Sequence, residues 1–184
     1  MYKALKALIL MKDYSIADTP TLKEVNIDGE AFFSISNVDQ MRPFFMSIVS
    51  DSNHWMFIGS NGGVSAGRKD AENALFPYYT DDKIIESAEI TGSKSIFLVE
   101  KDGQTHTWEP FSLRYASHYQ TSQNLYKSIY GNKVLFEEIN HDLGLTFQYQ
   151  WNSSNRYGFV KKSNLINHLD HAQSVHVLDG IQNI

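Results

Sequence analysis

Leu145-Thr-Phe-Gln-Tyr-Gln-Trp151 alternates apolar and polar residues without a break. Successive side chains on an extended chain point to opposite faces. Leu145, Phe147, Tyr149 and Trp151 therefore share one face, and Thr146, Gln148 and Gln150 share the other. A strand with one dry side and one wet side is the mark of an antiparallel sheet packed on a core. Working outward, Asn140-His-Asp-Leu-Gly144 reads as the turn before it. Asp28-Gly29 separates Leu22–Ile27 from Glu30–Asn37, and Asp102-Gly103 separates Ser95–Lys101 from Gln104–Trp108. Gly131-Asn132 separates Asn124–Tyr130 from Lys133–Ile139. Asp-Gly suits a type I′ hairpin turn, which needs positive φ twice, and Gly in first place suits type II′.

Two further runs, Phe44–Val49 and His54–Ser60, are apolar on both faces and read as central strands, with Asp51-Ser-Asn53 turning the chain between them. Later strands are predicted at Tyr157–Lys162 and Val175–Leu178. Helical signals are sparse. Asn73–Tyr79 is short and holds Pro77, and Ser112–Gln123 has room for one helical turn. About ten or eleven strands with little helix predict an all-β antiparallel sandwich, of the supersandwich-like kind, in a single domain over residues 1–184. Asn61–Asp82 is the longest stretch without a strand signal. It is rich in Gly and aromatics, and is expected to be ordered against the sheet.

The composition excludes several classes. The 184 residues include no Cys, so there is no disulfide framework, thiolate zinc site or cysteine nucleophile. With 16 basic and 21 acidic residues the net charge is −5, which argues against nucleic acid and anionic membrane as partners. No run of 18 apolar residues exists to span a membrane. In Met1–Lys12 the apolar core from Ala7 to Met11 is too short for a signal peptide and follows directly on Lys6. This segment reads as mature sequence, a strand or short helix, and the missing leader favours the cytoplasm.

The candidate chemistry is thin. Gly62-Gly-Val-Ser-Ala-Gly67-Arg68-Lys69 approaches a phosphate loop, but Arg68 stands where Lys is needed, Lys69 stands where Ser or Thr is needed, and no helix is predicted to follow. Gly63-Val-Ser-Ala-Gly67 matches Gly-x-Ser-x-Gly literally but lacks the strand–turn–helix context of a nucleophile elbow. Asp81 and Asp82 are adjacent, so on an extended chain they diverge and cannot face each other across a sugar; a turn or cap is the simpler reading. His168, His171 and His176 lie in a polar stretch and read as solvated residues rather than metal ligands. Sugar rings stack on aromatic faces while Asp, Asn and Arg hydrogen-bond hydroxyls. On that chemistry the candidate carbohydrate-binding residues are Arg68, Asn73, Tyr78, Tyr79, Asp81, Asp82, Tyr115 and Tyr119, with the tyrosines preferred to the tryptophans as exposed stackers.

Four stretches carry a family resemblance. They are Asn37–Asp51 running into His54-Trp-Met-Phe, then Ala66-Gly-Arg68 through Ala74–Tyr79, Phe136–Leu145, and Val177-Leu-Asp-Gly-Ile-Gln-Asn183. Together they resemble the N-terminal region of cellobiose-phosphorylase-like, glycoside-hydrolase-type bacterial proteins. The resemblance implies a sandwich preceding an (α/α)₆ barrel that holds the catalytic acid, so no catalytic residue, metal or cofactor is assigned here. It also implies that this chain is the N-terminal fragment of a longer one, in keeping with its apolar last residue Ile184. The expected role is a non-catalytic sandwich domain of a carbohydrate-active enzyme. It would support the helical barrel, contact carbohydrate through Asn61–Asp82, and expose an apolar patch that could pair two copies. One alternative is an autonomous carbohydrate-binding module with a shallow aromatic strip. Another is a mutarotase-like sugar isomerase, with His54, His106, His118 or His141 as acid and Glu137 or Glu138 as base.

Overall fold

Two of the three turn dipeptides close hairpins in the tightest way open to them. In the structure, a computed structural model that describes residues 19–77 and 79–184, β1 (Thr21–Ile27) and β2 (Glu30–Ser36) meet at Asp28-Gly29. Both turn residues have positive φ, 51° and 85°. The hairpin of β6 (Gly92–Lys101) and β7 (Gln104–Trp108) repeats this at Asp102-Gly103, with φ of 52° and 73°. These are type I′ turns, whose twist matches that of the strands they join.

The third turn departs from the expected two-residue form. Between β8 (Thr121–Ser128) and β9 (Lys133–Asn140) four residues intervene, and Gly131, not Asn132, takes a positive φ. The Gly131 N–H donates to the Ser128 carbonyl, and Ser128 Oγ accepts from the N–H groups of Asn132 and Lys133. A serine side chain that meets these backbone donors stabilises the longer loop.

The strands form two layers. One is a six-stranded antiparallel sheet in the order β1-β2-β8-β9-β10-β11, with β10 at Leu145–Ser154 and β11 at Gly158–Asn167. Facing it are two three-stranded sheets. One is β12-β6-β7, with β12 at Ser174–Gln182; the other is β3-β4-β5, at Phe45–Ile48, His54–Gly59 and Val64–Arg68. The chain is thus an all-β antiparallel sandwich, 55% strand and 9% helix. The alternation along Leu145–Trp151 holds: Leu145, Phe147, Tyr149 and Trp151 are all buried. Phe147 meets Phe97 of the facing layer at 5.0 Å, Tyr149 stacks on Phe136 at 4.7 Å, and Trp151 takes Phe76 edge-on at 6.2 Å. Each such ring contributes about 2–3 kcal/mol by burial alone.

Three expectations need correction. The stretch Asn61–Asp82 is not free of strands, because β5 crosses it and brings the described strands to twelve. The reason is crowding: a Cβ on Gly63 would lie 1.9 Å from the Ile84 carbonyl, and one on Gly67 would lie 2.5 Å from the Trp55 ring. Only a strand of small residues fits there, and small residues carry little β signal. Second, Asp81 and Asp82 open a helix, α1 (Asp81–Glu86), behind Thr80 at its N-cap, where a turn or cap was expected. Third, β4 is central in its own sheet, but only Met56 and Ile58 face the core; Trp55 and Phe57 are half-buried on the outer side. The expected turn in Ser112–Gln123 is a 3-10 turn at Leu113–Tyr115, and β8 begins inside that range. The readings of Met1–Lys12 and of Tyr78 lie outside the described residues. Among the described residues no helix is long and apolar enough to cross a membrane.

Candidate functional site

A cleft of about 860 Å³ opens between the 3-10 turn at Val38–Gln40, the connection from β7 to β8, and the near ends of β8 and β9. Its size falls in the range of small-molecule sites.

The floor is set by alternation on β9. Val134, Phe136 and Glu138 share the core-facing side, so a carboxyl stands where the pattern demands an apolar group. Glu138 is only 4% exposed. A buried carboxyl needs donors, and this one has three. Trp108 Nε1–H donates to Oε1 at 2.8 Å, while the Phe111 N–H at 2.7 Å and Gln123 Nε2–H at 2.8 Å donate to Oε2. All three are neutral, so burial prevails and pushes the Glu138 pKa up. Phe111 reaches this carboxyl with a φ of 64°, a strained conformation for a bulky residue. Its ring, edge-on to Tyr149 at 5.3 Å and to Phe136 at 6.3 Å, holds it there.

Glu109 occupies the rim and is 5% exposed. It pairs with Lys94 of β6 and, at 2.7 Å, with Arg114 Nη2. Burial opposes its charge, but the two cationic donors outweigh that and hold its pKa below the usual carboxylate range. Glu89 ties down the same loop by accepting from the Leu113 N–H at 2.5 Å and the Ser112 hydroxyl at 3.3 Å. Along the opening, His118 sits edge-on between Tyr115 and Tyr119 at 5.8 and 5.0 Å. The Tyr119 hydroxyl donates to the Thr107 carbonyl at 2.7 Å, and burial raises its pKa. Ser122 Oγ and His141 Nε2 lie 2.9 Å apart, and Asp142 accepts from the Gln120 N–H at 2.7 Å. Rings beside amides, hydroxyls and carboxyls suit a ligand that is flat on one face and rich in hydroxyls on its edges.

The structure divides the sequence-predicted residues. Tyr115 and Tyr119 line the cleft; Arg68, Asn73, Tyr79, Asp81 and Asp82 do not. Arg68 Nε–H donates to Asn53 Oδ1 at 3.3 Å, and Asn73 is held by Asp70, which caps the 3-10 turn Ala71–Asn73. The Tyr79 N–H donates to Ser65 Oγ at 3.4 Å. Asp82 accepts from the Thr80 hydroxyl and the Lys83 N–H, which lower its pKa. Of the histidines, His118 and His141 share the cleft with Glu138, whereas His54 pairs with Ser52 at 2.6 Å and rests against Phe159, and His106 lies on β7. Glu137 points to the opposite face of the sheet, where Asn124, Tyr126 and Gln148 donate to it. Ser65, within the literal Gly-x-Ser-x-Gly, is fully buried on β5, so it is no exposed nucleophile. His168 bonds Thr146 and His171 bonds Asp170; among the described residues no three candidate ligands gather round a metal position.

Sequence reasoning missed Trp108 and Gln123, and it named Glu138 only as a base for the isomerase reading. The signal was present: a carboxylate in phase with Val134 and Phe136 needs partners wherever that face is buried. It also missed the outer face of β4. There Trp55 and Phe57 lie 5.6 Å apart, and Phe57 and Phe45 lie 5.4 Å apart, in a short aromatic strip on the same sheet as Arg68. Comparison with protein-family models gives no match, and comparison with curated proteins gives none either.

Proposed function

We propose that the chain is a β-sandwich domain that contacts carbohydrate, within a protein that acts on glycosidic bonds, and that the sugar lies in the cleft beside Tyr115 and Tyr119. The observation that carries this reading is the cleft itself. Its volume of about 860 Å³ is lined by rings, amides and carboxyls in the mixture that sugar recognition uses. The family resemblance supplies the setting, in which glycosidic chemistry belongs to a helical-barrel domain and the sandwich gives support and glycan contact. The support role draws on Val177, Leu178 and Ile181 of edge strand β12, together with Leu98 of β6, all apolar and exposed. A pairing of two copies through the same strand belongs to this reading as its alternative. Calorimetric titration with a panel of soluble oligosaccharides tests the glycan contact. Saturable heat that weakens in Tyr115→Ala is expected, and no heat from any sugar overturns it.

A sugar-isomerase reading has one observation in its favour, namely that His118, His141 and Glu138 line the same cleft. Against it, both oxygens of Glu138 already accept hydrogen bonds from the fold. Polarimetry on freshly dissolved aldoses decides between the two: accelerated mutarotation that is lost in His118→Ala or His141→Ala favours the isomerase.

A further inference from the structure

We infer that a recess adjoining the cleft is a subsite for one uncharged hydroxyl, carried either by a sugar or by water. As a sugar subsite it rests on the carbohydrate reading above; as a hydroxyl site it does not. The recess measures about 20 Å³. It shares Asn61, Glu89, Phe111 and Ser112 with the cleft, whereas Lys94 and Tyr149 line the recess alone. A space of that size holds about one oxygen-sized group. Two polar atoms of its lining residues are unmatched. Tyr149 is 3% exposed, and its ring is packed between Phe136 and Phe111. Its hydroxyl forms no hydrogen bond with any described residue. Gly62 borders that oxygen, and a Cβ there would lie 2.8 Å from it. Asn61 Oδ1 is buried without a partner, because the other end of the amide donates to the Ile85 carbonyl at 2.8 Å. Lys94, Ser95 and Ser112 are already engaged, with Glu109, Asp179 and Glu89 in turn.

Native folds meet nearly all of their buried polar atoms, so an unmatched phenol and an unmatched amide oxygen beside one small space point to what fills it. Burial keeps the Tyr149 phenol neutral, with its pKa well above the usual value, so it remains a donor. A hydroxyl both accepts and donates, and one oxygen can therefore answer Tyr149 and Asn61 together. A carboxylate or sulfate brings no hydrogen for Asn61 and meets Glu89 as a like charge. An ammonium has no lone pair for the phenol hydrogen.

The test is Tyr149→Phe in the whole chain, which removes one oxygen and keeps the ring. Loss of a matched hydroxyl is expected to lower the thermal midpoint by about 2–4 °C. An unchanged or higher midpoint means that the hydroxyl had no partner to lose, and overturns the inference. If the variant does not fold, an electron-density map of the free wild-type chain decides: an oxygen within hydrogen-bond distance of Tyr149 Oη is expected, and none there overturns it. The source of the hydroxyl is read by calorimetry with methyl glucoside and its four monodeoxy forms. One monodeoxy form is expected to bind wild type roughly twofold to tenfold more weakly than the glucoside, a difference that Tyr149→Phe erases. Equal binding of all five sugars, or a difference that persists in the variant, overturns the sugar subsite and leaves water as the occupant. If the midpoint falls while neither the glucoside nor any oligosaccharide binds, the hydroxyl site stands with water in it and the carbohydrate reading falls.

Discussion

The floor and the rim of the cleft each bury a glutamate, and the two are driven in opposite directions. Glu138 and Glu109 are 4% and 5% exposed, so burial penalises the charge of both. Glu138 is met by an indole, a backbone amide and a carboxamide, and its pKa rises; Glu109 is met by an ammonium and a guanidinium, and its pKa falls. Low exposure alone therefore does not fix the ionisation of a carboxyl, and Glu138 also lies deeper than Glu109. Depth and the charge of its donors do so together. The elements behind them differ too. Glu138 is held from a strand by the core and by a strained Phe111, whereas Glu109 is held from a loop by side chains that are partly in water.

Several substitutions sharpen this contrast, and the largest effects are expected at the floor. Glu138→Ala strands three donors and opens a void, and is expected to lower unfolding free energy by about 3 kcal/mol in urea titration. A loss below about 1 kcal/mol would show that water replaces the carboxyl freely. Trp108→Phe removes one of those donors and is expected to lose about 2 kcal/mol by the same measurement. At the rim, Glu109→Gln is expected to lose about 1 kcal/mol, because Lys94 keeps Glu89 at 3.5 Å and some solvent. Arg114→Ala should be the smallest, near the limit of detection, since that side chain is 65% exposed.

The pH dependence of stability should separate the two glutamates. Glu138 has a raised folded-state pKa, so its contribution is full below the ordinary Glu range and declines as pH rises through the raised value. Glu109 has a lowered one, so its contribution is present above the ordinary range and declines as pH falls through the lowered value. In unfolding curves taken across pH, Glu138→Gln should flatten the decline on the higher side and Glu109→Gln the decline on the acid side. An exchange of these two signatures would reverse the assignment of donors.

Much of the sandwich was legible in the sequence and little of the floor of the cleft. The phase of Leu145–Trp151 fixed a strand and its buried side because alternation is a local property. Asp28-Gly29 and Asp102-Gly103 fixed two hairpins because positive φ at both turn positions is a local demand. Strand β5 was hidden, since Val64-Ser-Ala-Gly-Arg68 is selected for thinness beneath Ile84 and Trp55, a tertiary need with no periodic trace. The latter half of β11 was hidden because its residues are largely exposed on both faces. Tyr115 and Tyr119 were picked out by their loop setting and do line the cleft. Arg68, Asn73, Asp81 and Asp82 were grouped by nearness along the chain; Arg68 ends β5 beside the bridge from Gly67 to Ala74, Asp81 and Asp82 open α1, and none of the four lines the cleft.

Two of the ladders that complete the sandwich join distant parts of the chain. Asn37 bonds Asn124 across 87 residues where β2 meets β8, and Ser95 bonds Asp179 across 84 where β6 meets β12. The hairpins can zip early, but neither layer closes until those remote partners find each other. Refolding should therefore run on the slow timescale of sheet-rich proteins, about milliseconds to seconds, and pass through a stage with unpaired edges that is prone to self-association at high concentration.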